Sequence, residues 1–134
     1  MTLGARAIVF DEEKNAVLLV RHTYVPGWQL PGGGVEVGET FEDALRREVL
    51  EEGNIELVGR PELRSVHFNK AATSRDHVAL YLVRHFRQVG AHVPDREIAE
   101  AKFFPLDALP PELTAATRRR LAETFDGAEL AAEW

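Results

Sequence analysis

Residues 33–55 read GGVEVGETFEDALRREVLEEGNI, and the second half of that stretch carries its own helix signals. Thr40 stands where an N-cap is wanted, and Asp43, three residues on, imitates a capping box. Gly53-Asn54 supplies the left-handed exit that helix C-termini favour. A helix is therefore expected over Glu39–Glu52. With Phe41 at zero and about 100° per residue, Leu45 and Val49 fall at about 40° and 80°, and Ala44 at about 300°. Glu48 and Glu52 land about 20° to either side of Phe41, inside that apolar sector, with Glu51 at its edge. The opposite face holds Asp43, Arg46 and Leu50.

A glutamate-rich run is ordinarily a solvated face, and the wheel opposes that reading. Like charges one turn apart destabilise a helix by about 0.2–0.5 kcal/mol per pair, and partial burial strengthens the repulsion. A divalent cation removes the conflict, because oxygen donors at i, i+3 and i+4 converge on one patch. Mg2+ takes oxygen ligands of this kind while sharing its remaining positions with substrate phosphates. Gly32-Gly33-Gly34 lie immediately upstream, where a bare backbone can approach a ligand closely. No Gly-Lys-Ser/Thr follows them, and their spacing is not the dinucleotide fingerprint. Locally they read as a breaker between Trp28-Gln29-Leu30 and the short alternating segment Val35-Glu36-Val37.

Working outward, Ala5–Phe10 and Ala16–Arg21 read as a hairpin around the polar turn Asp11–Asn15. Strands are expected at Ile55–Val58, Ser65–Phe68 and Val78–Phe86, and in the C-terminal half of Arg96–Phe104, closed by Pro105. Leu106–Leu109 reads as a short turn of helix and Thr114–Phe125 as an amphipathic helix. No repeat or linker divides the 134 residues, so one α/β domain over residues 1–134 is expected. A hydrophobic fraction of 45% and a charged fraction of 28% exclude a disordered or fibrous chain. The absence of cysteine excludes disulfides, thiolate metal sites and cysteine nucleophiles, and fits a reducing, cytoplasmic setting. No leader is read in Met1–Arg6, and the longest apolar run, Ala16–Val20, is far short of a membrane span. A net charge of −6 argues against nucleic acid polymers as partners, yet a small phosphorylated substrate remains open if a cation accompanies it.

Gly33, Glu39, Arg47-Glu48, Val49, Glu51-Glu52 and Ile55 together resemble the signature box of the Nudix hydrolases. That box runs Gly, five residues, Glu, seven residues, Arg-Glu, an aliphatic residue, one residue, Glu-Glu, one residue, Gly, aliphatic. Asn54 departs from it, standing where the family has glycine. Trp28–Gly32 resembles the family's lead-in and Glu97–Leu109 its late strand. The resemblance implies a MutT-like α/β/α sandwich on a mixed sheet. It also implies hydrolysis of a nucleoside diphosphate linked to another moiety, with Mg2+ or Mn2+. By position, Glu48, Glu51, Glu52 and the Gly33 carbonyl are implied metal ligands, with Glu52 or Glu48 as general base. Arg47 is implied to hold Glu51 in place from one turn away, and Glu39 to be an outer partner.

Outside the box, Arg21 is either a phosphate contact or a solvated strand end, and Trp28 either stacks on a base or anchors the core beside Pro31. Glu97 falls where the family often adds an acidic residue near the metals, with Glu100 a weaker candidate of the same kind. His77 begins a strand from which it can reach substrate. His22, His67, His85 and His92 show no zinc spacing and read as surface or satisfied strand residues. Arg118-Arg119-Arg120 reads as a solvated basic face. Asn69–Thr73 contains neither the proline of some ADP-ribose hydrolases nor the tyrosine of dinucleoside polyphosphate hydrolases. Nucleoside triphosphates or small nucleotide derivatives are therefore the expected substrates, with room for a homodimer. The alternative is a non-catalytic nucleotide or nucleotide-sugar sensor, disfavoured because all three box glutamates are present.

Overall fold

The computed structural model describes residues 2–91 and 97–134, so His92 and Arg96 lie outside the described residues. Strands β1 (Thr2–Asp11) and β2 (Ala16–His22) flank the expected polar turn, yet pair only beside it, at Phe10↔Val17 and Asp11↔Ala16. Beyond that point they diverge. β2 goes on to pair with β3 (Trp28–Gln29) and β9 (Ile98–Pro105). β1 pairs antiparallel with β4 (Gly32–Gly34) and parallel with β7 (Asp76–Val83), whose outer edge carries β6 (Glu62–Phe68). The result is a mixed seven-stranded sheet. β5 (Ile55–Leu57) and β8 (Phe86–Gln88) form a separate two-stranded sheet.

Strand alternation builds a core on each face of the large sheet. Ala5, Ala7 and Val9 of β1, with Ala79, Tyr81 and Val83 of β7, pack against Leu45 and Val49 of helix α1 (Phe41–Gly53). The intervening Ile8, Leu80 and Leu82 pack on the other side with Leu121 of helix α2 (Ala115–Phe125), Trp28 and Leu113. This is the expected α/β/α sandwich. Among the described residues no helix is long and apolar enough to cross a membrane.

Several local expectations need correction. The triple glycine is not a breaker but the paired strand β4, in register Gly4↔Gly34, Ala5↔Gly33 and Arg6↔Gly32. Gly32 is required there: its φ of +147° is glycine territory, and a Cβ would lie 2.1 Å from the Ala5 carbonyl oxygen. Val35–Val37 lies outside the strands. The run Val78–Phe86 divides, its end entering the small sheet as β8. Leu106–Leu109 forms a turn, closed by the Ala108 N–H on the Pro105 carbonyl. Arg120 is not part of a solvated face; it is fully buried and paired with Glu123 at 2.7 Å.

Candidate active site

The ends of α1 set its rotation about its axis. Thr40 Oγ1 accepts the Asp43 N–H and Asp43 Oδ2 accepts the Thr40 N–H, both at 3.0 Å, completing the capping box. At the other end Asn54 adopts φ 53° and ψ 40°, and its N–H closes on the Leu50 carbonyl at 3.0 Å. Asparagine thus makes the left-handed exit in place of the box glycine. With Ala44, Leu45 and Val49 locked in the core, Glu52 is carried inward to 6% exposure, Glu48 is half-buried and Glu51 is exposed.

Strand β4 meets these carboxylates with bare backbone. The Gly32 N–H donates to Glu52 Oε1 at 2.7 Å. A Cβ on Gly33 would fall 2.7–2.9 Å from the Glu48 carboxylate atoms, so any larger residue displaces that carboxylate. Gly33 is therefore against Glu48, and Glu52 is steadied from the same strand.

Arg47 is the hub of the exposed side. Its Nε and Nη2 donate to the two oxygens of Glu39 at 2.8 and 2.9 Å, Nη1 donates to Glu48 Oε1 at 2.6 Å, and Nη2 reaches the Gly34 carbonyl at 3.1 Å. Glu51 is 3.8 Å away. Arg47 thus pairs with Glu51 at longer range than with Glu48 and Glu39, and ties those two to β4. The bidentate pair with Arg47, helped by the Glu36 N–H, pulls the Glu39 carboxyl down to about 2. Burial acts oppositely on the inner pair. It raises Glu48, against the opposing pull of Arg47, and pushes Glu52 up to about 7 against its bond from Gly32.

Two residues that the sequence reading gave no role border these carboxylates. His22 Nε2 lies 3.9 Å from Glu52 Oε2, and its Nδ1 is buried without a hydrogen-bond partner in the structure. Burial and the charge of Arg6 depress the His22 imidazole. Arg6 donates to the Leu30 carbonyl at 2.8 Å and feels the charges of Glu52, Glu48 and Asp76. A charged residue inside the apolar run Ala5–Phe10 was the available signal for Arg6; His22 had none.

The other candidates are distributed around two clefts. Arg21, Trp28 and Glu100 line one of about 670 Å3, together with His22 and Tyr24. In it Arg21 donates to Glu100 Oε1 at 2.8 Å and lies over the Trp28 ring, while Trp28 is buried edge-on to Phe104, 4.8 Å between centroids. Trp28 thus anchors the core while lining the cleft. Glu97 is exposed just before β9; its carbonyl accepts the Thr23 N–H at 2.9 Å, and its charge acts on both Glu52 and His22. The second cleft, of about 280 Å3, is lined by Arg6, Gly33, Gly34 and Asp76 among others. His77 points away from its neighbour Asp76 along β7 and is exposed against Phe68.

Among the described residues no three Asp, Glu or His side chains are gathered into a ready metal site. The donors present are nevertheless all oxygen, two are carboxylates whose anionic form burial disfavours, and a hard divalent cation fits such a set.

The NUDIX domain family model matches residues 1–125. The chain belongs to the Nudix family. A solved MutT NUDIX hydrolase from Burkholderia pseudomallei has a TM-score of 0.75 at 32% identity, over 90% of this chain and 95% of that one. An ADP-ribose pyrophosphatase of Methanocaldococcus jannaschii is 36% identical over 103 residues, 74% of this chain and 60% of that protein. An RNA pyrophosphohydrolase of Sulfurovum sp. is 48% identical over 52 residues, 36% of this chain and 33% of that protein. The match with two further curated relatives spans 34% and 41% of their lengths, again under two thirds. The Nudix box of this chain is thus the loop from β4 into α1 and the helix itself, with Asn54 as its one departure.

Proposed function

We infer that this chain is a divalent-cation-dependent pyrophosphohydrolase acting on a nucleoside triphosphate or another small nucleotide with a diphosphate linkage. The observation that carries this is the burial of Glu52 and half-burial of Glu48, one turn apart, against the bare backbone of Gly32 and Gly33. Two carboxylates so placed are destabilised as anions, and a cation with an anionic substrate balances them. Relatives carrying the names ADP-ribose pyrophosphatase and RNA pyrophosphohydrolase support the reaction class.

In this reading Glu48, Glu51, Glu52 and the Gly33 carbonyl hold Mg2+ or Mn2+. When bound, the cation polarises phosphoryl oxygens and acidifies the attacking water. Water oxygen attacks one phosphorus, the bond to the bridging oxygen breaks, and that oxygen leaves with the second phosphoryl group. The proton of the water passes to a carboxylate. Glu52 is suited to this, since Oε1 is committed to Gly32 and Oε2 is turned towards His22. Glu97 offers a second carboxylate from another segment. Arg47 holds Glu48 in position, and Arg21, Trp28 and His77 remain candidates for substrate contact. The presence of all three box glutamates favours the enzyme over a sensor.

The test is a panel of nucleotides incubated with Mg2+ or Mn2+, measuring released phosphate and pyrophosphate. Cleavage that stops on chelation, and in Glu52→Gln, supports the assignment. Absence of cleavage across the panel with either metal overturns it.

A further inference from the structure

β2 ends at His22, and the loop of residues 23–27 that follows is held at both ends. The Thr23 N–H donates to the Glu97 carbonyl at 2.9 Å, and the Trp28 N–H to the Glu112 carbonyl at 2.8 Å. Gly27 makes the return at φ +95°, where a Cβ would fall 2.9 Å from Thr114 Cγ2 and 3.0 Å from the Glu112 carbonyl oxygen. Between these anchors the loop turns apolar surface outward. Tyr24 is 70% exposed, and with Val25 and Pro26 it forms part of the wall of the cleft of about 670 Å3. Exposed apolar side chains scattered singly are ordinary, whereas a run of three on a concave wall is surface that a ligand covers.

The Tyr24 ring reaches the carboxylates through a single side chain. Along β2, Leu18 packs with Leu45 and Val49 on the α1 side of the sheet, and strand alternation returns His22 to that side. His22 Nε2 lies 3.9 Å from Glu52 Oε2, and the Tyr24 ring stands 6.0 Å from the imidazole, centroid to centroid. One imidazole therefore separates the exposed ring from Glu52, an interval that a ribose and its phosphate can cross. Arg21 follows Leu19 to the α2 side yet lines the same cleft, so the cleft wraps the end of the strand. Charge decides which part of a nucleotide belongs in it. Arg21 is matched by Glu100 at 2.8 Å, Glu112 adds a second anion to the wall, and nearby Lys102 is engaged with Glu100 at 3.6 Å. With no surplus of positive charge, the cleft suits the uncharged, planar end of the substrate and not its phosphates. Of Tyr24 and Trp28, only Tyr24 has an open face, because Trp28 is buried with Phe104 edge-on and Arg21 over its ring.

We propose that Tyr24 is the specificity residue that stacks on the base of the nucleotide, with the sugar passing His22 and the diphosphate lying at Glu52 and Glu48. This rests on the pyrophosphohydrolase reading and adds to it the requirement for a planar ring. The cleft falls inside the range of about 300–1,000 Å3 usual for ligand pockets, which leaves room for a base with its sugar.

Because Tyr24 is exposed, replacing it leaves the core untouched. The test compares Tyr24→Phe, which keeps the ring, with Tyr24→Leu, which keeps apolar bulk alone. Base stacking on an aromatic side chain is worth about fivefold or more in affinity. Tyr24→Leu should therefore raise KM at least about fivefold for a nucleoside triphosphate that the parent cleaves, a larger effect than on kcat. Its inhibition by inorganic tripolyphosphate, which has the phosphates and no base, should match that of the parent. Tyr24→Phe should stay close to the parent throughout. Equal KM in the two variants, or an equal loss for tripolyphosphate, overturns the assignment. If the parent cleaves no nucleotide, the enzymatic reading fails by itself, and calorimetric titration with a nucleoside monophosphate decides the present one. Binding to the parent and to Tyr24→Phe that weakens at least about fivefold in Tyr24→Leu supports Tyr24 as the stacking residue. Equal affinity in all three, or no binding to the parent, overturns it.

Discussion

At Glu52 one carboxylate oxygen accepts the Gly32 N–H at 2.7 Å and the other looks towards His22. Glu52→Gln keeps the volume and the acceptor for Gly32 but removes the charge. Loss of a metal ligand or base is expected to lower kcat at least 10²-fold, about 2.7 kcal/mol of barrier, measured on any nucleotide the parent cleaves. The metal-free variant should melt no lower than the parent at pH 8, because the buried anion is gone. Arg47 acts differently, through Glu48 and Glu39. Arg47→Ala should lower activity by about 10- to 100-fold while equilibrium Mn2+ binding persists, and Arg47→Lys should recover only part, since an ammonium cannot reproduce the fork on Glu39. At this scale the reading of Glu48 and Glu52 as inward-facing followed from helical period alone. The partner of Arg47 did not, because Glu39 precedes the helix and its distance depends on how the loop folds back.

The elements that position these residues owe their ends to local chemistry. Thr40 and Asp43 close the start of α1, and Asn54 closes its end. Thr40→Ala removes the side-chain acceptor for the Asp43 N–H and should lower stability by about 1 kcal/mol in urea unfolding. Because capping sits several residues from the carboxylates, kcat at 25 °C should change little. The glycine strand shows the opposite case. Three glycines between Pro31 and Val35 carry no strand signal, since β propensity is largely a matter of side-chain packing. β4 forms because β1 offers unpaired backbone there, and because Gly32 and Gly33 leave room for Ala5 and Glu48.

Across the whole molecule, distant segments are brought to α1 and to each other. Glu97 lies far along the chain from the box, yet its charge acts on Glu52. Glu97→Gln is expected to lower kcat at least about tenfold, as loss of a positioned acid–base group does, with the melting temperature nearly unchanged because the side chain is exposed. The segment after α2 turns back along β6, where Phe68 donates its N–H to the Ala132 carbonyl and accepts that of Trp134, and Arg120 lies under the Trp134 ring. This latch brings a pH dependence of its own. Burial, and then Arg120, depress His67, with Glu123 opposing. A histidine whose folded pKa is lowered binds fewer protons folded than unfolded, so its contribution is present above about pH 6.5 and lost as pH falls below that through the folded value. Urea unfolding at pH 7.5 and 5.5 should show a larger drop in the parent than in His67→Gln; equal drops would remove His67 as the cause. What the sequence determined by itself was α1, its caps, the inward turn of its glutamates and the two-faced strands, all set by periodicity and by contacts within a few residues. The pairing of β4 with β1, the Arg47–Glu39 clasp, the approach of His22 and Arg6 to Glu52, and the burial of Arg120 beneath Trp134 were decided only by tertiary structure. Those contacts join segments whose separation along the chain carries no periodic signal, and their energies exist only once the sheet has aligned its strands.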